Sequence, residues 1–386
     1  MINPDVSLYF HIPFCSKKCP YCHFFVLPND ERLKSPFIDA LLKELELRLP
    51  QLRGKRVVSI YFGGGTPTKL TPHHYRSLLE RITHSDVEIS SDCEITLEAN
   101  PEDVTLLLME QYREVGINRV SLGVQSLCDQ DLVLLGRTHN ANRAVEATQM
   151  IHRAKITNIS IDLMFELPKQ TFESWRATLQ TLSHLPITHL SLYNLTFEER
   201  TIFFKQQKQL LPLLPPEEIR LEMLQIAVQS LESIGLSRYE ISAFARPGMD
   251  SRHNTGYWTG RPFLGFGPSA FSDWEGARFS NVAHFDRYLK ALSQGHFPVD
   301  FEERLAYPRN LQERLAVGLR LFEGVDLHQL TTMYGPIPLA VEQSFQQLIE
   351  KGWIEKEGGR VRLTPSGQLF HDSVASELIY TAPERS

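Results

Sequence analysis

Three cysteines, Cys15, Cys19 and Cys22, lie within eight residues, in the run Cys15-Ser-Lys-Lys-Cys19-Pro-Tyr21-Cys22. Thiolates suit iron–sulfur clusters, and four of them normally complete a 4Fe–4S set. Three thiolates at spacings of four and three can hold three irons of such a cluster and leave the fourth without a protein ligand. An open iron is a place where a small molecule can coordinate and react. A structural zinc is the alternative, and it wants a fourth Cys or His at a fitting distance. His23, next to Cys22, is the candidate for that role. The remaining cysteines, Cys93 and Cys128, are isolated and read as packing residues.

Other residues suited to binding recur where β-rich runs end. Gly63-Gly64-Gly65-Thr66-Pro67 follows the apolar run Val57–Phe62. Glycine lets backbone pass close to a ligand and leaves N–H and C=O groups free for it. Glu98, in Glu98-Ala99-Asn100-Pro101, can accept from a hydroxyl or an ammonium group. Gln125 closes Ser121-Leu-Gly-Val-Gln125, and Asp162 lies in Ser160-Ile-Asp162-Leu. Arg137 can pair bidentately with a carboxylate. Singly, each reads more readily as a structural or surface residue than as a ligand; at successive strand ends they form a pattern.

A second group lies far downstream, in His253-Asn254-Thr255-Gly256-Tyr257-Trp258. Neutral imidazole is a common metal ligand. Tyr257 and Trp258 offer flat aromatic faces, and Arg252 and Arg261 can meet carboxylates. The residues alone favour a turn at His253-Asn254, with Tyr257 and Trp258 anchoring a loop to the core. His11 and His23 are weaker candidates near the cysteines.

The elements that must position these groups follow from periodicity. Strands are expected at Ser7–Ile12, Val57–Phe62, Glu94–Ala99, Arg119–Val124, Asn158–Leu163 and His189–Asn194. Amphipathic helices are expected between them, at Pro36–Leu49, Pro72–Ile82, Val104–Val115, Ala141–Ala154 and Glu173–Leu182. Such alternation predicts right-handed βαβ units, a parallel sheet and an α/β fold, a partial (β/α)6 barrel. Ligands of such sheets sit at the carboxyl ends of strands. After the proline-rich Leu211–Pro216, a helix is expected at Glu217–Ser233 and a strand at Arg238–Ser242. An ordered glycine- and aromatic-rich loop is expected from Ala245 to Asn281. Helical patterns at Leu311–Leu321, Asp326–Tyr334 and Leu339–Lys351 precede a hairpin signal at Gly358-Gly359. With a terminal helix after Pro365, they predict a winged-helix-like unit. The expected divisions are 1–240, a connecting region at 241–304, and 305–386.

With 386 residues, 42% hydrophobic and 22% charged, the chain reads as a globular protein with a large core. A net charge of −6 argues against coating nucleic acid. The carboxy-terminal unit is therefore expected to be a lid or docking unit, with no nucleic-acid partner. No apolar run approaches the ~20 residues of a membrane span, which leaves at most peripheral contact with a membrane. No secretory signal is read at the amino terminus. Five cysteines, three of them clustered, suit metal binding in a reducing compartment, and a cytoplasmic location is expected.

The triplet, with Tyr21 just before its last cysteine, resembles the signature of the radical S-adenosylmethionine (SAM) enzymes. The resemblance implies a radical SAM barrel with a 4Fe–4S cluster whose open iron is chelated by SAM. An electron from a donor such as a flavodoxin or ferredoxin would cleave SAM to a 5′-deoxyadenosyl radical. Tyr9, Tyr21, Gly64, Gly65, Thr66, Glu98, Gln125, Arg137 and Asp162 carry over as SAM-site residues. The wider pattern resembles, over nearly the whole chain, one subfamily. It comprises Tyr9-Phe-His11-Ile-Pro13-Phe14-Cys15, Gly63–Pro67, Gly123-Val-Gln125-Ser126 and a HemN-type carboxy-terminal unit. That subfamily holds the oxygen-independent coproporphyrinogen III oxidases and the HemW-like heme chaperones.

Two departures from the oxidase pattern point to the chaperones: Phe24 stands where the oxidases have a fourth cysteine, and only 14 residues precede Cys15. The His-Asn-x-x-Tyr-Trp run matches a motif of the chaperones, which implies His253, Tyr257 and Trp258 as heme contacts. The function implied is binding of heme and its transfer to an acceptor protein, with SAM cleavage left open. The alternative is the oxidase reaction, decarboxylation of coproporphyrinogen III to protoporphyrinogen IX. Radical SAM chemistry on RNA lacks a basic tail to support it, and a zinc-stabilised interaction module is the non-catalytic reading.

Overall fold

The structure, a computed structural model, describes residues 5–380. Met1–Pro4 and Thr381–Ser386, the outer ends of the first and last expected divisions, lie outside the described residues.

Alternation along six strands separates two chemically different faces. The strands are β1 (Asp5–Ile12), β2 (Arg56–Gly64), β3 (Glu88–Ala99), β4 (Arg119–Gln125), β5 (Asn158–Phe165) and β6 (His189–Asn194). They lie side by side in that order, all parallel. Helices α1 (Glu31–Arg48), α2 (Pro72–Thr83), α3 (Leu106–Glu114), α4 (Ala141–Arg153) and α5 (Phe172–Leu182) make the crossovers. Residues such as Leu8, Phe10, Ile60, Phe62, Leu97, Leu122, Ile161 and Leu190 enter the main hydrophobic core. Their neighbours one position along are polar and registered with one another: Ser7 with Ser59, Tyr9 with Tyr61, Glu98 with Ser121, Asp162 with Ser191. Period-two alternation puts these on the opposite face, so the inner wall of the half-barrel is polar.

Local sequence starts the helices as the alternation requires. Asp30, Thr105, Asn140 and Thr171 each accept a backbone N–H of the first turn of α1, α3, α4 and α5, which satisfies a donor that the helix itself leaves free. Helix α1 begins before Pro36, where sequence reading starts it, because Asp30 rather than the proline sets the first turn.

After helix α6 (Glu217–Ser233), strands β7 (Ser237–Glu240) and β8 (Ala243–Ala245) extend the sheet beyond β6, where one strand is expected. The stretch expected to be a loop is instead largely regular. It contains helix α7 (Arg252–Thr259), then β9 (Phe263–Phe266), β10 (Phe271–Trp274) and β11 (Ala277–Asn281), followed by α8 (Phe285–Ser293) and β12 (Val299–Glu303). Strand β9 pairs in parallel with β1, so the sheet carries a further parallel strand. Leu264, Phe266 and Phe279 from this stretch, with Phe244 and Phe285 on either side of it, pack in the main core.

The carboxy-terminal unit has its own core, including Leu311, Leu315, Phe345, Leu348, Val361 and Val374. It is built from α9 (Arg309–Gly318), α10 (Leu327–Tyr334), α11 (Leu339–Glu350) and α12 (His371–Ile379) with a small three-stranded sheet. That sheet pairs Val325–Asp326, Ile354–Glu357 and Arg360–Leu363, the last two forming the hairpin expected at Gly358-Gly359. No helix among the described residues is long and apolar enough to cross a membrane.

Candidate functional site

A cleft of about 450 Å³ opens at the carboxyl ends of the parallel strands. The loop after β1 supplies Cys15, Cys19, Tyr21 and Cys22 to its wall; β2 and its turn supply Gly64, Gly65 and Thr66; β3 supplies Glu98, β4 Gln125, β5 Asp162, and the segment after β4 supplies Arg137. All the residues expected around a SAM-bound cluster are thus brought together except Tyr9. That side chain lies deeper in the half-barrel and donates its hydroxyl to His11 Nδ1 at 3.2 Å.

Backbone contact between two strand ends positions the cysteine loop. Gly65 N–H donates to Ile12 O at 2.8 Å. A Cβ on Gly65 would stand 2.8–2.9 Å from the backbone of Ile12, Pro13 and Phe14. Only glycine allows the β2 turn to lie under the start of the triplet loop. Gly64 has φ +108°, and a Cβ there would stand 2.5 Å from His11 Nδ1. Its N–H donates to Glu98 Oε2 at 3.0 Å, while Tyr61 donates its hydroxyl to Glu98 Oε1 at 2.8 Å. Burial, with Asp162 nearby, raises the Glu98 carboxyl to about 7 against the hydrogen bond from Tyr61. Asp162, accepting from Ser121 Oγ at 3.3 Å, is also raised by burial.

Whether the triplet suits an anionic cluster can be judged from its surroundings. All five cysteines are free. Cys15 Sγ lies 3.4 Å from Thr66 Oγ1, and burial raises the thiols of Cys15 and Cys22. Arg137 donates through Nη1 to Cys19 Sγ at 3.5 Å and through Nη2 to Asn100 Oδ1 and Gly123 O at 2.6 and 2.8 Å. Its Nε is buried with no partner. A buried cation bonded to the Cys19 thiol matches the negative charge of thiolate-bound iron–sulfur. Among the described residues no three His, Cys, Asp or Glu side chains converge on a single-ion site, which a structural zinc would require. The residues fit a cluster held by Cys15, Cys19 and Cys22.

Asn100 and Tyr61 escape a reading of the sequence. Asn100 bonds both Arg137 and Thr66. Its only signal is its place two residues after Glu98. Tyr61 reads as one more apolar residue of its strand until register puts it on the inner wall.

The downstream histidine motif is placed elsewhere. Ser251 caps α7, accepting Asn254 N–H, and Glu94 accepts the N–H groups of Arg252 and His253, each at 3.0 Å. The helix therefore seats at the end of the half-barrel opposite the cysteines, and His253 is 1% exposed. Ser59 directs its hydroxyl proton to Ser7, so His253 Nδ1 donates to Ser59 Oγ at 3.0 Å. His253 Nε2 then accepts from the Tyr257 hydroxyl at 2.8 Å. Burial lowers His253 to about 3 and keeps the imidazole neutral. None of His253, Tyr257 and Trp258 lines the cleft. Trp258 faces the carboxy-terminal unit, where Arg320 lies 4.4 Å over its ring. Arg252 pairs with Asp92, and Arg261 turns inward to Arg252 O and Ser7 Oγ. The turn weighed for this segment is a capped helix.

Comparison with known proteins decides the family. The sequence profile of the radical SAM superfamily matches residues 9–182, and that of the HemN C-terminal domain matches residues 309–370. Heme chaperone HemW of Bacillus subtilis is 32% identical over 373 residues, covering 95% of this chain and 97% of that one. The chain belongs to the HemW family, within the radical SAM superfamily. HemW of Lactococcus lactis is 31% identical, with 98% of both chains covered. Radical S-adenosyl methionine domain-containing protein 1, mitochondrial, of Mus musculus is 35% identical, covering 97% of this chain and 87% of that protein. The solved structure of coproporphyrinogen III oxidase (HemN) from Escherichia coli, a radical SAM enzyme, shares the fold. Its TM-score is 0.85 at 24% identity, over 98% of this chain and 91% of that one. The cofactors of this HemW family member are those of the superfamily, a 4Fe–4S cluster and SAM.

Proposed function

We propose that this protein binds heme and transfers it to an acceptor protein, with a SAM-bound 4Fe–4S cluster in the cleft. The observation that carries the reading is likeness to HemW heme chaperones along the whole chain, through both the half-barrel and the carboxy-terminal unit. In the cleft, Cys15, Cys19 and Cys22 would hold the cluster. Gly64, Gly65, Thr66, Glu98, Gln125, Arg137 and Asp162 would orient SAM, with Tyr21 beside the adenine. When bound, the pair supplies a low-potential electron next to a cleavable carbon–sulfur bond. A flavodoxin or ferredoxin would supply that electron, and the setting would be the cytoplasm.

Heme contact at His253, Tyr257 and Trp258 belongs to the same proposal and carries a structural condition. The lone pair of His253 Nε2 that would meet iron is taken by Tyr257. Axial ligation therefore requires α7 to shift and that bond to be exchanged for one to iron.

The oxidase reading is favoured by the shared fold alone. Phe24, 50% exposed at the mouth of the cleft, offers no thiol where the oxidases place one. Anaerobic incubation of the reconstituted protein with coproporphyrinogen III, SAM and a reductant separates the two. The chaperone reading predicts no protoporphyrinogen; product that disappears in Cys19→Ala would establish the oxidase instead.

A further inference from the structure

We propose that His253 and Tyr61 are positioning residues of the SAM site, linking the histidine motif at the barrel floor to the glycine turn of the cleft. The His253 ring lies against Tyr61, with centroids 4.9 Å apart and planes inclined by 31°. Tyr9 stacks on the same Tyr61 ring at 6.1 Å. Tyr61 carries its hydroxyl to Glu98 Oε1, and Glu98 Oε2 holds Gly64 N–H. The path is tight. A Cβ on Gly63 would stand 2.7 Å from Tyr61 Cε1 and 2.9 Å from Glu98 Oε1. Only glycine at this position leaves room for the Tyr61–Glu98 bond, so the ring and the carboxylate share one closely packed site.

The lower end of this path is fixed as firmly. His253 is held by Ser59 and Tyr257 through its two ring nitrogens and by Glu94 through its backbone. Burial keeps the ring neutral, so it acts as a fixed flat support and as neither a charge nor an acid. Packed side chains with one discrete arrangement pass a displacement on rather than dissipating it. The position of α7 thus sets where the Glu98 carboxyl and the Gly64 N–H stand, and both residues line the cleft that the proposed function gives to SAM.

This positioning role rests on the SAM-bound cluster of the proposed function and needs no heme at His253. If iron draws His253 away from Ser59 and Tyr257, Tyr61 loses its support and SAM binds more weakly. By reciprocity, SAM must weaken heme binding by the same factor.

The test is a double-mutant cycle on the anaerobically reconstituted holoprotein, reading the dissociation constant of SAM. His253→Ala and Tyr61→Phe are each expected to raise it on the order of tenfold, within the usual range of coupling between sites. The double variant is expected to be little worse than either single one, because both cut one path. His253→Gln, which can still bond Ser59, is expected to recover part of the loss. Iron and sulfide content should stay at the wild-type value throughout, which separates positioning from collapse of the fold. An unchanged SAM constant in His253→Ala, or effects that multiply in the double variant, would overturn the proposal. Heme titration of the same variants is read separately. Loss of heme binding with SAM binding intact would sink this inference and leave the heme reading standing; the reverse result would do the opposite.

Discussion

At the scale of single residues, the cleft is built from groups whose chemistry changes with burial. Glu98 is the clearest. Its carboxyl, raised to about 7 from an ordinary 4.5, binds its proton more tightly in the folded chain than in the unfolded one. Between those values the folded state holds more protons, so stability must fall as pH rises from about 4.5 to about 7 and level off above. Glu98→Gln removes that contribution. The difference in unfolding free energy between wild type and variant is expected to change across this window and stay flat above it; a flat difference throughout would show that Glu98 is not raised. Much of this residue chemistry was legible beforehand, because cysteines, a glycine run and strand-end polar residues are rare enough to stand out. Tyr61 and Asn100 were not. A tyrosine within an apolar run carries no mark of which face it takes, and an asparagine at a strand end is also an ordinary turn residue.

At the scale of elements, the six parallel strands could be read because each is bounded by turn residues and followed by a periodic helix. Helix α7 and strand β9 could not. Gly256 and Gly260 interrupt the helical pattern, and Pro262, Gly265 and Gly267 punctuate a strand of only four residues. Those glycines answer tertiary demands. A Cβ on Gly265 would stand 2.0 Å from Phe271 O, a neighbour that local sequence does not reveal. Because α7 is short, its start matters. Ser251 is fully buried and its hydroxyl accepts Asn254 N–H. Ser251→Ala is expected to cost about 1 kcal/mol, the usual value of a helix cap, measured as a lower denaturation midpoint at unchanged slope. A midpoint equal to wild type would mean that Glu94 alone secures the helix.

At the scale of the whole molecule, two hydrophobic cores meet across α7. Arg314, from α9, donates to the carbonyls of Tyr257 and Trp258 at 3.0 and 2.7 Å, and Arg320 covers the Trp258 ring. The motif helix therefore touches the half-barrel on one side and the carboxy-terminal unit on the other. Those contacts tie the motif helix to α9 as well as to the barrel floor. The division into a half-barrel and a small helical unit was visible in the sequence. Absorption of the stretch between them into the main core was not, since it depends on β9 finding β1 across more than 250 residues of chain. Heme carriage is the property on which the proposed function stands. Titration of the anaerobically reconstituted protein with heme, followed by absorption, tests it most directly. A saturable spectral change ending at one heme per chain and surviving gel filtration is expected; a linear, unsaturable change lost on the column would show that the fold does not carry heme.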